Sequence, residues 1–259
     1  MRRNVQTILI AVLATLGTAQ ARNLNQIKAD GTLHLYTSAD FAPFSSILGS
    51  ITGGMGKPVG FEVELGNLIA KRIGLRPVWQ VKNFDTLIPD IIKNPDVDVL
   101  IASHAITSTR AKLVDFTNPH YCTGGVALST PAGPLDSKAF ENQSVGAEAG
   151  STYEGYLRKL PFPVRVKPYA TSGKSYAGLV SGQVASLVTD RFAALDAVKR
   201  FPDSKLRVGP LLWREEIGMV VAKNNTELRT SINVALAKIL QDGSYAKLSQ
   251  KYFKQDIRC

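Results

Sequence analysis

The hydrophobic and polar positions of the chain change their period several times along its first half. Residues 32–37 (TLHLYT) alternate as a half-buried strand does, and residues 61–73 repeat apolar side chains at helical spacing up to Gly74. Further strands are predicted over 78–81 and 97–102, further helices over 84–93 and from 108 onward, and a glycine-rich loop over 49–58. Strands that alternate with helices predict α/β structure around a mainly parallel sheet.

A second alternation of strands and helices follows in the other half of the chain. Strands are predicted over 124–129, 145–147, 164–169, 184–188 and 217–222, and helices over 153–159, 175–181, 192–200, 227–240 and 245–253. Two successive α/β units predict two lobes rather than one long sheet.

The N-terminal residues have the pattern of a secretory signal peptide. Arg2 and Arg3 precede an apolar run over 8–16, and Ala19 and Ala21 form an A-x-A cleavage site. The run is too short to span a bilayer, and no later segment reaches that length. We therefore expect residues 1–21 to be removed and the mature protein to be soluble and periplasmic.

Charge and cysteine content narrow the possible partners. The net charge of +10 falls to +8 without residues 1–21, which contain two arginines and no acid. The basic residues are scattered without interleaved aromatic residues, so we expect no nucleic-acid partner. Three histidines and two cysteines show no ligand spacing, so neither a metal nor another cofactor is expected. In an exported protein Cys122 and Cys259 could form a disulfide or remain two thiols.

Arg110 occupies an unusual position for a cation. Thr107 is a good helix N-cap in SHAITSTRAKLVDF (103–116), which places Arg110 in the first turn of a helix that residues 111–114 continue. A cation there is mildly disfavoured by the helix dipole, whereas an anion is favoured. Arg110 is therefore either a solvated surface residue or one half of an anion site shared with the helix N-terminus.

Two more polar positions follow predicted strands. Ser151 and Glu154 match a capping box after Gly150, where free N–H groups can hold a carboxylate. Asp190 closely follows the apolar strand 184–188, a place where open α/β sheets bind ligands. Each could simply cap a helix. Together with Arg110, however, they complement a zwitterion, with its carboxylate at Arg110 and its ammonium at Asp190.

Three segments resemble a known family. Residues 56–75 (GKPVGFEVELGNLIAKRIGL), 84–121 and 239–253 (ILQDGSYAKLSQKYF) are similar to the bacterial extracellular solute-binding proteins that serve amino-acid ABC transporters. The similarity is greatest to the lysine/arginine/ornithine and histidine binders. It covers nearly the whole mature chain, with an insertion around residues 47–56.

The resemblance implies the two-lobed periplasmic binding protein fold of type II. Each lobe would be a mixed, mainly parallel sheet flanked by helices, and two crossing hinge segments would join the lobes. Lobe one would comprise residues 22–121 and 217–259, and lobe two residues 122–216.

The resemblance also implies how the two charged ends of an amino acid are held. Arg110 would bind the α-carboxylate with help from the N–H groups of Ala105 and Thr152, next to Ser151. Asp190 would bind the α-ammonium with help from the carbonyl of Ser103. The aromatic rings of Phe41 and Phe84 would flank the side chain of the ligand on its two sides.

Three positions depart from the family pattern. Ala105 stands where a serine or threonine hydroxyl usually reaches the ligand, so one hydrogen bond should be missing. Ser38 stands where the binders of basic amino acids have an aspartate for the distal cation. Glu148 falls beside the expected ligand side chain and could supply a replacement anion.

These features predict a monomeric periplasmic receptor that captures an amino acid, with a basic or polar one favoured, and delivers it to an ABC importer permease. The alternative is a dehydratase for prephenate or arogenate on the same scaffold, with Glu148 or Asp190 as general acid. A third class, a ligand sensor, is usually fused to a transmembrane segment, for which the sequence offers no candidate.

Overall fold

The computed structural model describes residues 20–48 and 56–259. The predicted signal peptide therefore lies almost wholly outside the described residues, as does most of the predicted loop over 49–58. In the described part, no helix is long and apolar enough to cross a membrane.

Most helices of the described residues lie close to the predicted ones. The helices are α1 (Leu24–Asp30), α2 (Phe61–Arg72), α3 (Phe84–Lys93), α4 (Ser108–Ala111), α5 (Thr152–Leu157), α6 (Ser172–Val180), α7 (Arg191–Arg200), α8 (Thr226–Gln241) and α9 (Ser244–Phe253). Of these, α1 was not predicted, and α4 is shorter than expected. The strands are β1 (Thr32–Thr37), β2 (Asp40–Phe41), β3 (Ser45–Ile47), β4 (Pro58–Val59), β5 (Arg76–Val81), β6 (Val99–Leu100), β7 (Val114–Phe116), β8 (Tyr121–Ser129), β9 (Ser144–Glu148), β10 (Arg165–Tyr169), β11 (Ser186–Asp190), β12 (Arg207–Ile217) and β13 (Val220–Ala222).

Two five-stranded mixed sheets form the centres of the two lobes. The first has the order β5-β1-β6-β13-β7, with β1 parallel to β5 and β6, and β13 antiparallel to its neighbours. The second has the order β10-β9-β11-β8-β12, with β9 parallel to β10 and β11, and β8 antiparallel to its neighbours. A small antiparallel sheet, β2-β3-β4, accompanies the first. The predicted two-lobed α/β fold is confirmed.

The chain passes between the two sheets twice, and the two passages lie side by side. β8 leaves the first lobe after β7, and β12 leads back to β13. The strands pair antiparallel from Tyr121 opposite Ile217 to Ser129 opposite Arg207. The lobe boundaries predicted at 121/122 and 216/217 fall at one end of this ladder, and they remain a prediction.

An aromatic cluster packs where the passages begin. The ring of Tyr121 stacks on Phe44 at 4.7 Å between centroids and meets Phe61 edge-on at 6.2 Å. Phe253 of α9 lies 5.1 Å from Phe61 and 5.1 Å from Phe192 of α7. Because these rings come from both lobes and from the C-terminal helix, they join the lobes through one apolar core.

The local pattern misled the prediction in several places, including β2, β3 and β4 of the small sheet, which were not predicted. The predicted continuation of the helix after residue 111 is wrong, because residues 114–116 form β7 and pair with β13 instead. β12 was missed because its sequence (RVGPLLWREEI) shows no alternation and contains Gly209 and Pro210. The helix α1 was also missed, although Asn23 and Gln26 form a capping box at its start.

The two cysteines form a disulfide, which resolves the alternative left open by the sequence. Cys122 lies near the start of β8, and its N–H donates to the carbonyl of Ile257 at 3.0 Å. The disulfide and this hydrogen bond together attach the C-terminal residues to β8, the strand by which the chain leaves the first lobe.

Replacing both cysteines by serine should lower the free energy of unfolding by about 2–4 kcal/mol, because the bond closes a loop with a sequence separation of 137. Urea unfolding of the variant and of the oxidised wild type measures the difference. Wild-type protein unfolded with a reductant present should match the variant. Equal unfolding midpoints for all three samples would contradict a stabilising disulfide.

Candidate functional site

A small cavity lies between the lobes where the sequence places the site. Its volume is about 10 Å³, close to the space that one water molecule needs. Most of the predicted site residues line it: Phe41, Phe84, Ser103, Arg110, Glu148, Ser151 and Thr152. Tyr153 and Ala102 complete the wall. An amino acid is much larger, so its entry requires the lobes to move apart.

Arg110 connects the two lobes. Its Nη1 donates to the carbonyl of Ala105 at 3.0 Å, and its Nη2 donates to the carbonyl of Gly150, in the other lobe, at 3.2 Å. Burial lowers the pKa of Arg110, and the charge of Glu215 opposes that shift. A guanidinium has five N–H donors, so three remain after these two contacts. Arg110 is therefore a half-buried, partly satisfied cation that borders both the cavity and an open groove beside it.

The short length of α4 changes the argument about its dipole. Thr107 caps the helix as predicted, because its hydroxyl accepts from the N–H of Arg110 at 3.2 Å. The helix ends at Ala111, after four residues, so its macrodipole is small. The attraction of this place for an anion comes from the half-buried guanidinium itself.

The aromatic residues Phe41 and Phe84 line the same cavity from the first lobe. The ring of Phe84 stacks on His104 at 4.7 Å and lies 5.6 Å from the guanidinium carbon of Arg110. Phe41 stacks on Phe44 at 5.7 Å. His104 is buried and supports Phe84 by stacking on its ring. It does not line the cavity.

The start of α5 borders the cavity from the second lobe. The hydroxyl of Ser151 accepts from the N–H of Glu154 at 3.1 Å, as a cap does. The predicted capping box is only half formed, because the carboxylate of Glu154 accepts from Gly150 N–H at 2.8 Å instead of from Ser151. The N–H groups of Thr152 and Ala105 donate to no acceptor among the described residues.

Asp190 is fully buried and holds the start of α7. Its Oδ1 accepts from the N–H groups of Phe192 at 2.6 Å and Ala193 at 3.0 Å, and its Oδ2 accepts from the hydroxyl of Thr123 at 2.5 Å. The capping role left open by the sequence is therefore real. Burial raises the pKa of Asp190 to about 7, against the effect of these hydrogen bonds. Asp190 does not line the cavity, so an ammonium would reach it only after a local rearrangement.

Ser103 has a strained backbone that a residue missed by the sequence analysis supports. Its φ of 56° lies in the left-handed region, which is costly for serine. The carboxylate of Glu62 accepts from its N–H at 3.0 Å and from its hydroxyl at 2.9 Å. His120 Nε2 donates to the same carboxylate at 2.8 Å. Glu62 thus holds the N–H and the hydroxyl of Ser103 in place.

Ala105 and Ser38 lie outside the cavity. Ala105 lines a separate open groove of about 1020 Å³ that runs along the passages β8 and β12, with Arg110, Thr152 and Trp213 also in its wall. Ser38 is buried, and its hydroxyl faces the carboxylate of Asp40.

Glu148 meets that same Asp40 across the cleft. The Ser172 hydroxyl donates to Glu148 Oε2 at 2.8 Å, and the Ser172 N–H donates to Asp40 Oδ2 at 2.8 Å. The sequence analysis did not single out Asp40, although it adjoins Phe41. Within residues 20–48 and 56–259, no group of three or more His, Cys, Asp or Glu side chains could hold a metal ion.

Comparison with known proteins agrees with this geometry. The family model of bacterial extracellular solute-binding proteins, family 3, matches residues 33–255. The chain belongs to this family. The resemblance inferred from the three sequence segments is confirmed.

Individual relatives in the family bind amino acids. The L-cystine-binding protein TcyJ of Escherichia coli K12 is 30% identical over 252 residues, which cover 96% of this chain and 92% of the relative. The lysine/arginine/ornithine-binding periplasmic protein of the same strain is 29% identical over 237 residues, which cover 87% and 89%. The structure of an ancestral arginine-binding protein bound to glutamine superimposes with a TM-score of 0.81 and 33% identity, covering 87% of this chain and 99% of that one.

Glu62→Ala should destabilise the protein by roughly 3–5 kcal/mol, because three buried donors lose one charged acceptor. Glu64→Ala is the matched control in the same helical turn. Glu64 is half-exposed, pairs with Lys251 and accepts from the Tyr252 hydroxyl, so its loss should cost about 1–2 kcal/mol. Urea unfolding compares the two. Similar losses in both variants would mean that Glu62 has no special role.

Asp190 should make the protein less stable as the pH rises from about 4 to 7. Its pKa is about 7 in the folded protein and near 3.8 in the unfolded chain, so over this range only the folded state keeps the proton. Each rising pH unit then favours unfolding, by up to about 4 kcal/mol in total. Asp190→Asn has no titrating group at this position. The free energy of unfolding of the wild type should therefore fall relative to that of the variant as the pH rises from 4.5 to 7.5. A constant difference would show that the pKa is not raised.

Proposed function

We propose that this protein is a periplasmic receptor that captures an amino acid between its lobes and delivers it to an ABC importer permease. The observation that carries the proposal is the half-buried guanidinium of Arg110, which borders the interlobe cavity and has three donors beyond its two contacts to carbonyls. A guanidinium with free donors at a cleft binds a bidentate anion well, and a carboxylate fits it.

The rest of the site supports a ligand with both a carboxylate and an ammonium. The unused N–H groups of Ala105 and Thr152 would assist Arg110 in binding the α-carboxylate. The carboxylate of Asp190 and the carbonyl of Ser103, a residue whose N–H Glu62 holds, would receive the α-ammonium. Phe41 and Phe84 would enclose the ligand side chain. The amino acids bound by the relatives, cystine and the basic ones, agree with this arrangement.

Closure would follow from the position of Arg110 between the lobes. Its side chain already bonds to a carbonyl of each lobe, so a carboxylate held by it also reaches the second lobe through Thr152. The paired passages β8 and β12 provide the natural hinge. A ligand that contacts both lobes stabilises the closed form over the open one, and the closed form is what the permease would recognise.

The signal peptide over 1–21 and the periplasmic relatives support export. We propose that the mature protein acts as a monomer and uses no cofactor. The dehydratase alternative gains no support from the relatives, which are binding proteins. Mature protein mixed with prephenate should give no phenylpyruvate absorbance. Product formation that depends on the protein would support the dehydratase alternative.

Arg110→Ala should lose nearly all amino-acid binding, because the α-carboxylate loses its cation. The matched control is Arg158→Ala, which removes an exposed arginine that follows the last residue of α5 and pairs with Glu154. The ligand is first identified by a thermal-shift screen, since binding to the native state raises the melting temperature. The screen tests wild-type protein stripped of ligand against amino acids, including ornithine and cystine. Calorimetry then compares the variants. Full affinity in Arg110→Ala, or no response of the wild type to any amino acid, would overturn the proposal.

A further inference from the structure

Two carboxylates from different lobes meet beside the cavity. Asp40 belongs to β2 in the first lobe, and Glu148 ends β9 in the second. Both are held by Ser172, the first residue of α6, whose N–H donates to Asp40 Oδ2 and whose hydroxyl donates to Glu148 Oε2, each at 2.8 Å. One residue therefore satisfies one oxygen of each carboxylate and keeps the two groups together.

Among the described residues, the remaining oxygen of each carboxylate has no hydrogen-bond partner. Asp40 Oδ1 and Glu148 Oε1 are buried and accept no hydrogen bond from the described residues. Asp40 is 9% exposed and Glu148 is 6% exposed, and Glu148 forms part of the cavity wall. Buried carboxylate oxygens without a donor are strongly unfavourable, so they call for a cationic or hydrogen-bonding partner.

The electrostatics of the two carboxylates also favour a cation between them. Burial raises the pKa of Glu148 well above its ordinary value, and the charges of Asp40 and Asp85 add to that shift. Burial also raises the pKa of Asp40, against the Ser38 hydroxyl and the N–H of Ser172. Two buried like charges disfavour each other's ionisation, and a cation placed between them would remove that cost.

We infer that Asp40 and Glu148 form a seat for a cation at the end of the ligand opposite its α-carboxylate. The inference rests on the proposed function and narrows the ligand to amino acids that carry a second positive charge. The charge would come from the amine or guanidine of a basic side chain, or from the second α-ammonium of a dimeric amino acid such as cystine.

Glu148 was predicted from the sequence as a replacement for the anion that Ser38 lacks. The structure adds Asp40, two residues after Ser38, as a second anion from the opposite lobe, and the Ser38 hydroxyl faces its carboxylate. Because the two carboxylates repel each other when the lobes close, a cation between them stabilises the closed form. The ligand's second charge would therefore contribute to closure as well as to selectivity.

Glu148→Gln and Asp40→Asn test the seat, since each removes a charge but keeps an acceptor for Ser172. Asp85→Asn is the control, because it removes an exposed charge near the same place. Calorimetry compares the affinity of each charged ligand with that of a neutral counterpart. The pairs are arginine with citrulline, lysine and ornithine with glutamine, and cystine with S-methylcysteine. We expect the wild type to prefer one charged ligand, and each seat variant to bind that ligand at least about thirtyfold more weakly. Asp85→Asn should bind it nearly as well as the wild type does.

The outcomes separate the two claims. Preference for arginine, lysine or ornithine supports a side-chain cation, and preference for cystine supports the second α-ammonium. If citrulline, glutamine or S-methylcysteine binds the wild type as tightly as its charged counterpart, the seat is overturned while the receptor function stands. An unchanged affinity in both seat variants overturns it as well. If no amino acid binds, the receptor function fails and the seat fails with it. The two variants lie in different lobes, so a folding defect in one leaves the other as the test.

Discussion

The pairing of β8 with β12 is the interaction on which the rest of the arrangement depends. These strands carry the chain between the lobes, and their ladder holds both passages in one register. Thr123 on β8 donates to Asp190, and the charge of Glu215 on β12 acts on Arg110. The disulfide at Cys122 fastens the C-terminus to the same place. The groups that face each other across the cleft are thus positioned by two adjacent strands.

The cleft is built from charges that the protein satisfies only in part. Arg110 bonds to two carbonyls and keeps three donors, and Glu148 and Asp40 each keep one bare oxygen. Asp190 is better satisfied, with three hydrogen bonds to its carboxylate. Burying charges without partners is costly, so a cleft of this kind gains most from a ligand that brings the missing opposite charges. Selectivity then follows from where the bare oxygens and donors lie.

The local sequence was sufficient where a single element buries one face. β1, α2 and α3 were predicted almost to the residue, because their apolar positions repeat with the period of their own structure. Residues 114–116 were predicted as helix and form a strand, because β13 offers them backbone partners that no local pattern reveals. Arg110 and Asp190 could be singled out because each stands at the junction of a strand and a helix. Glu62 and Asp40 could not, because only the packed fold shows that these carboxylates are buried.

The sequence by itself determined the α/β class and the two lobes through residue types and short-range periodicity. It also determined the family, through the resemblance of three segments to known proteins, and it predicted the groups for the two ends of an amino acid. The tertiary structure decided the disulfide, the support of Ser103 by Glu62, and the meeting of Asp40 with Glu148. Each of these joins residues that are far apart in sequence, and the burial that gives a charge its energetic weight exists only once the two lobes have packed together.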